Sequence, residues 1–312
     1  MPQSSSLHTA PLRIGTRGSR LALTQAGIVR DLLARENIES VIVVVRTSGD
    51  RIQDRPLADA GGKGLFTKEL EEALFANEAD IAVHSMKDVP AHLPDGLMLG
   101  AYLPREDPRD VLVSNKSHTL QSLPSGAVVG TSSVRRRAQL LRARKNVEAV
   151  TLRGNVDTRL SKLDGGVFEA AILALAGLKR LGLQDRATTV LDSSVWLPSP
   201  AQGAIGIELR ASDLRAREAV AKLDHEPTAI ALACERAFLA ALDGSCRTPI
   251  AALATLDGDS LKFRGEVLAL DGGDFVETAF EKQLVTPRED AAQWGREAGL
   301  ALRPGAARWL DL

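Results

Sequence analysis

Two cysteines in 312 residues exclude a disulfide scaffold and an all-cysteine zinc cluster. No run of about 18 apolar residues occurs, so no membrane-spanning helix is expected. The opening stretch MPQSSSLHTAPLR lacks the apolar block of a secretory signal. A cytoplasmic protein with reduced thiols follows as the expectation. Aromatic residues amount to 4%, too few for the stacking platforms that read single-stranded nucleic acid. Net charge is nearly missing as well, with 39 Lys and Arg against 40 Asp and Glu. What remains is 44% apolar and 25% charged, the composition of an ordinary globular protein. The length predicts about two domains, or three small ones.

The neutrality averages two unlike parts. Residues 1–180 hold 25 basic and 20 acidic side chains, whereas residues 181–312 hold 14 and 20. Between positions 131 and 162, nine Arg and Lys meet only Glu148 and Asp157. Such a cluster suits nucleic acid, a membrane surface or a small polyanion.

Apolar periodicity predicts an α/β chain. Strands are expected at 12–15, 41–46, 80–84, 111–114, 127–130, 147–152 and 170–175. Helices are expected at 21–35, 65–76, 133–144 and 156–163. Two further helices, 213–223 and 228–242, precede alternating runs at 250–254, 261–270 and 275–280, and a helix at 288–302 ends the chain. Two α/β lobes and an α+β tail result, with boundaries near 103–109 and 225–227. Segment 48–64 is polar and aperiodic, longer than ordinary connections, and reads as a binding loop or cover.

In open α/β sheets ligands lie beyond the carboxyl ends of strands. Three strand-to-helix junctions there carry cations: Thr16-Arg17-Gly18-Ser19, Thr131-Ser132-Ser133-Val134-Arg135-Arg136, and Leu152-Arg153-Gly154-Asn155 leading to Arg159. Small polar residues cap helix N–H groups, but arginines in a first turn oppose the helix dipole unless an anion offsets them. Capping with solvated arginines is the plain alternative. Lys63, in Gly61-Gly62-Lys63-Gly64, lacks phosphate-loop spacing. His84-Ser85-Met86-Lys87-Asp88-Val89-Pro90 ends a strand and sets a carboxylate among cations. It reads as a site for stabilising a cationic intermediate or moving a proton, or as a surface ion pair. His84 has no second ligand at metal spacing, so it reads as packing and no metal is expected. Cys234 falls on an apolar helix face and reads as core. Cys246, beside Arg247 in a small-residue loop, reads as a thiol suited to covalent attachment or as an inert one.

Taken in order, these motifs resemble the porphobilinogen deaminase (hydroxymethylbilane synthase) family along essentially the whole chain. Arg105-Glu106-Asp107-Pro108-Arg109-Asp110, Ala176–Gly182, Gln202-Gly203-Ala204 and Gly244–Pro249 complete the match. The resemblance implies two lobes like those of periplasmic binding proteins, a cleft between them, and a small α+β C-terminal domain. It divides the chain into 1–104 with 204–221, 105–203, and 226–312. It implies a transferase of heme biosynthesis that joins four porphobilinogens, with loss of ammonia, on a dipyrromethane cofactor held by a thioether to Cys246. Asp88 would be the catalytic carboxylate. Lys87, Thr131, Ser132, Ser133, Arg135, Arg136, Gly154 and Arg159 would bind the cofactor. Arg17, Ser19, Lys63, Phe66, Ser85, Arg153, Asn155, Arg180 and Gln202 would bind substrate. A cytoplasmic monomer is implied, free of nucleic acid and membrane, passing its product to the next enzyme. Ser245 and Arg247 depart from the family, which often has a glycine and an uncharged polar residue there. A two-lobed anion-binding protein, sensor or transport component, is the alternative class. It explains the arginine junctions but not Asp88 or Cys246.

Overall fold

The computed structural model describes residues 10–47, 64–116, 119–244 and 248–310. The polar segment 48–63, including Lys63, and the Ser245-Cys246-Arg247 stretch lie outside them. The first sheet comprises β1 (Leu12–Arg17), β2 (Ser40–Val45), β3 (Ile81–Ser85), β4 (Leu97–Tyr102) and β10 (Ile205–Arg210). Its order is β2-β1-β3-β10-β4. β1 runs parallel to β2 and β3, while β10 is antiparallel to β3 and β4. The second sheet has β5 (Asp110–Ser114), β6 (Val128–Gly130), β7 (Glu148–Val150), β8 (Ala170–Ala174) and β9 (Thr189–Val190). Its order β7-β6-β8-β5-β9 repeats the pattern, since β6 is parallel to β7 and β8 while β5 is antiparallel to β8 and β9.

Helices fill both faces of the first sheet. α1 (Arg20–Arg35) and α6 (Leu214–Ala221) bury Ala26, Val29, Leu33, Ala216, Ala219 and Val220 against Ile14, Ile81, Val83, Ile207 and Leu209. α2 (Lys68–Phe75) covers the other face with Leu70, Ala73 and Leu74. Burial of each such leucine or valine contributes about 1.5–3 kcal/mol. In the second lobe α3 (Val134–Ala143), α4 (Val156–Asp164) and α5 (Leu175–Arg180) pack around β5, β6 and β8. The tail is an antiparallel meander, β11 (Ile250–Asp257), β12 (Ser260–Leu268) and β13 (Phe275–Gln283). α7 (Glu226–Ala241) and α8 (Pro287–Ala306) pack on it around Phe238, Phe263 and Phe280, whose successive ring centroids are 5.1 Å apart. Cys234 is buried in this core, and burial pushes its thiol pKa up.

Expected elements are observed in type, while α5 and β10 were not expected, nor were β4 and β9. Neither β4 nor β9 shows strand periodicity. β4 carries Gly100, where a Cβ would come within 2.5 Å of Leu209 Cδ2, so a close approach between strands replaces the alternation. The two connections between the lobes run side by side. Glu106 N–H donates to the Gly203 carbonyl at 3.1 Å, and a side chain at Gly203 (φ 90°) would collide with Glu106.

Candidate active site

Four of the strand ends that carry cationic or catalytic candidates open towards one cleft. At the end of β1, Ser19 caps α1 by accepting from the Ala22 N–H at 3.3 Å. The Arg17 guanidinium lies 4.1 Å from the centre of the Phe66 ring. β3 ends in a tight turn, Met86–Asp88. The turn is held by the Met86 N–H donating to the Ala204 carbonyl at 3.1 Å. Ser85 Oγ exchanges a hydrogen bond with the Gln25 amide at 2.8 Å. Arg17, Ser19, Phe66, Ser85 and Asp88 line a single cavity together with Gln25 and His84.

In the second lobe, Ser133 caps α3 and Asn155 caps α4, accepting from the Arg136 and Thr158 N–H groups at 3.4 and 2.9 Å. Thr131 Oγ1 accepts from the Ser133 N–H at 3.2 Å. Ser132 Oγ donates to the Leu152 carbonyl and so ties the two junctions together. Gly154 has φ 111°, a left-handed conformation, and a Cβ there would press on Thr158 at 2.6 Å. Arg159 Nε donates to the Gly154 carbonyl at 2.8 Å, and Arg180 donates to that of Gly203 at 2.5 Å. Lys162 donates to the Arg153 carbonyl at 3.2 Å.

Arg135 and Arg136 are placed differently from solvated first-turn cations. Both are buried, and both bind the fully buried Asp110 of β5 at 2.7 Å. Arg135 also donates to Gln139 and the Leu197 carbonyl, and Arg136 to the Ile172 carbonyl. Trp196 Nε1 and the Gln202 amide complete the shell of Asp110 at 2.9 and 2.8 Å. This shell holds the Asp110 carboxyl far below the usual range despite its burial. The two arginines and Gln202 thus build the floor under the first turn of α3.

Burial pushes the Lys87 ammonium down to about 8, with Asp88 and Asp110 opposing the shift and Arg136 and Arg159 adding to it. Arg159 falls to about 10 through burial and the nearby Arg136, against the pull of Asp88. Arg180 also falls to about 10, from burial opposed by Glu106. Lys87, Asp88, Arg136 and Arg159 are therefore close enough to feel one another.

Sequence reasoning passed over Gln25, Asp110 and Glu208. The only signal was a polar residue within an apolar pattern: Gln25 sits on the buried face of α1, and Glu208 in a β-branched strand. His84, read as packing, proves to line the cavity.

The sequence matches the family description "Porphobilinogen deaminase, dipyromethane cofactor binding domain" over residues 12–218, and the corresponding C-terminal domain over residues 229–303. A porphobilinogen deaminase of Nitrobacter hamburgensis is 52% identical over 308 residues, 97% of this chain and 96% of its own. One from Paracoccus denitrificans is 51% identical over 297 residues, 94% of each chain. Among solved structures, the methionine binding protein MetQ superposes with a TM-score of 0.45 at 14% identity, over 68% of this chain and 89% of its own. The chain belongs to the porphobilinogen deaminase family.

Proposed function

We propose that the chain joins four porphobilinogen molecules head to tail, releasing ammonia at each addition, with Asp88 as the catalytic carboxylate. Hydrolysis then frees the linear tetrapyrrole hydroxymethylbilane. The observation that carries this reading is the meeting of Asp88 with Arg17, Ser19, Phe66 and Ser85 around one cavity. Porphobilinogen offers four of them a partner, while Ser85 is held by the Gln25 amide. Its acetate and propionate suit Arg17 and Ser19, its flat ring suits Phe66, and its ring N–H suits Asp88. Loss of ammonia leaves the substrate ring positively charged. A carboxylate fixed on a short turn between packed strands stabilises that charge as it forms, without reorganising.

The family implies a dipyrromethane cofactor, and the residues present fit one. Lys87 and Arg159 are cations that burial makes costly to keep charged. A group bearing several carboxylates is what would relieve them. Lys87 and Arg159 would hold those carboxylates, with Thr131, Ser132, Ser133 and the Gly154 backbone beside them. Arg136 would contribute its charge, and Arg135 would act from behind through Asp110. Cys246, outside the described residues, would be the anchor. When bound, the dipyrromethane supplies the nucleophilic pyrrole carbon and the tether for the product chain. Arg153, Asn155, Arg180 and Lys63 complete the substrate-binding set, whereas Gln202, buried against Asp110, Arg136 and the Pro108 carbonyl, supports the site from behind. Segments 1–104 with 204–221, 105–203 and 226–312 act as three domains, in a cytoplasmic monomer.

The Asp88→Asn variant tests the reading. It is expected to fold, to keep the cofactor mass, and to lose turnover by about 10²–10³-fold, the scale of losing one fixed electrostatic partner. Near-normal turnover in that variant contradicts the role given to Asp88.

A further inference from the structure

His84 shares the cavity with Asp88, and nothing in the function described so far employs it. The residue is only 5% exposed, and its Nε2 lies 2.9 Å from Oε2 of Glu208 on β10, a carboxylate with no exposure at all. Strand register explains the meeting. Gly206 stands opposite His84 and Glu208 opposite Ala82, so both side chains leave the sheet on the face under α2. Leu70, Leu74, Ala79, Ala82 and Leu97 pack on that face.

A buried ionisable pair in such a layer is a poor stabiliser, because desolvation offsets its attraction. The pair is also imperfectly aligned. Neither Nε2 nor either Glu208 oxygen makes a hydrogen bond of regular geometry among the described residues, so the 2.9 Å approach is a charge contact, with Glu71 and Arg236 as further charged neighbours. Glu71 of α2 lies nearby, and burial pushes its carboxyl pKa up. Ionisable groups buried behind a cavity at such cost are a mark of function. A carboxylate this close to one ring nitrogen favours the tautomer with the proton on Nε2, towards Glu208, and the Nδ1 lone pair as an acceptor. Nε2 faces Glu208 and His84 is among the residues that line the cavity, so Nδ1 is the ring nitrogen that Glu208 does not hold.

We propose that His84, oriented by Glu208, is the acceptor for the aminomethyl ammonium of porphobilinogen, leaving Asp88 for the ring. This deepens the reading of the cavity as the substrate site and rests on it. The Arg17 guanidinium suits a carboxylate and repels an ammonium, so the two ends of the substrate sort to opposite walls. When the C–N bond breaks, its electron pair departs with nitrogen as ammonia, which keeps its three hydrogens. The positive charge passes to the ring, facing Asp88. No proton moves at His84 in this step. Its part is to align the breaking bond and to select an amine-bearing substrate.

The test uses the holoenzyme carrying His84→Gln, whose amide can still reach Glu208 but offers no acceptor at the Nδ1 position. Two ligands are compared: porphobilinogen, and the same pyrrole with methyl in place of aminomethyl, measured as a competitive inhibitor. The expected result is a KM for porphobilinogen raised about tenfold or more, the scale of a lost hydrogen bond to a charged group. The inhibition constant of the methyl pyrrole should stay within about twofold. Intact mass should show the cofactor retained. If His84→Gln does not fold, Glu208→Gln should show the same selectivity at smaller size, since the ring remains but its tautomer is no longer favoured. Equal weakening of both ligands, or of neither, overturns the proposal. Asp88→Asn in the same assay keeps the two readings apart, because persistent turnover there refutes the role of Asp88 whatever the His84 ratio shows.

Discussion

Lys87 and Asp88 are adjacent in the tight turn that ends β3. Lys87 keeps some surface in the cleft, but its ammonium is desolvated and falls from 10.5 to about 8. Between those two values the unfolded chain holds a proton that the folded chain has released, so stability rises with pH across that window. Cofactor-free protein should therefore show a melting temperature that climbs from pH 8 to 10 more steeply than in Lys87→Met. Bound carboxylates should flatten the difference in the holoenzyme. Identical slopes for the two cofactor-free proteins would contradict the desolvated lysine. Asp110 makes the complementary case. Its removal in Asp110→Ala leaves Arg135 and Arg136 buried without their shared counter-charge, at a cost of about 3–5 kcal/mol by chemical denaturation. The arginine pair was plain in the sequence. Asp110 was not recognised as its partner because the contact joins a strand to a helix more than twenty positions further on. What the residue string displays is the excess of cations. Which are neutralised within the protein, and which are left for a ligand, depends on packing.

The elements carrying these groups follow one design, a strand ending in a small-residue cap with an arginine nearby. It occurs at β1–α1, β6–α3 and β7–α4. Those junctions were legible because caps and helical periodicity are local. β10 was not assigned to the first sheet by periodicity, since its partners β3 and β4 lie more than a hundred residues upstream. Segment 48–63 and the cysteine loop remain expectations from sequence. One carboxylate clamps the elements where the lobes join. Glu235 of α7, fully buried, accepts from Arg105 in the first connection at 2.7 Å, from the Ala201 N–H in the second at 2.6 Å, and from Ala254 of β11 at 2.7 Å. Replacing it by alanine strands a nearly buried guanidinium and two backbone donors. Glu235→Ala should lose about 3–5 kcal/mol, and Glu235→Gln, which keeps the carbonyl acceptor, should lose less. Equal stability of the alanine variant and the parent in urea would contradict the clamp.

At the scale of the whole molecule, the near-zero net charge resolves into local pairs and one cationic cleft. Glu266 of β12 accepts from Arg142 and Gln139 of the second lobe at 2.8 Å each, tying the third unit to it. Arg20 of α1 reaches Asp157 of α4 at 2.9 Å between the two lobes, an exposed pair worth no more than about 1 kcal/mol. Lys87 and Arg159, by contrast, stay together at the strand ends under a burial penalty that a carboxylate-rich ligand would lift. The central claim is that this cleft builds a pyrrole chain on a cofactor anchored at Cys246. Intact-protein mass spectrometry tests it most directly. The predicted mass exceeds that of the sequence by one dipyrromethane, grows in steps of one porphobilinogen less ammonia when substrate is added, and shows neither change in Cys246→Ser. A bare sequence mass after expression in a porphobilinogen-producing host, with no uptake of porphobilinogen, would contradict the account.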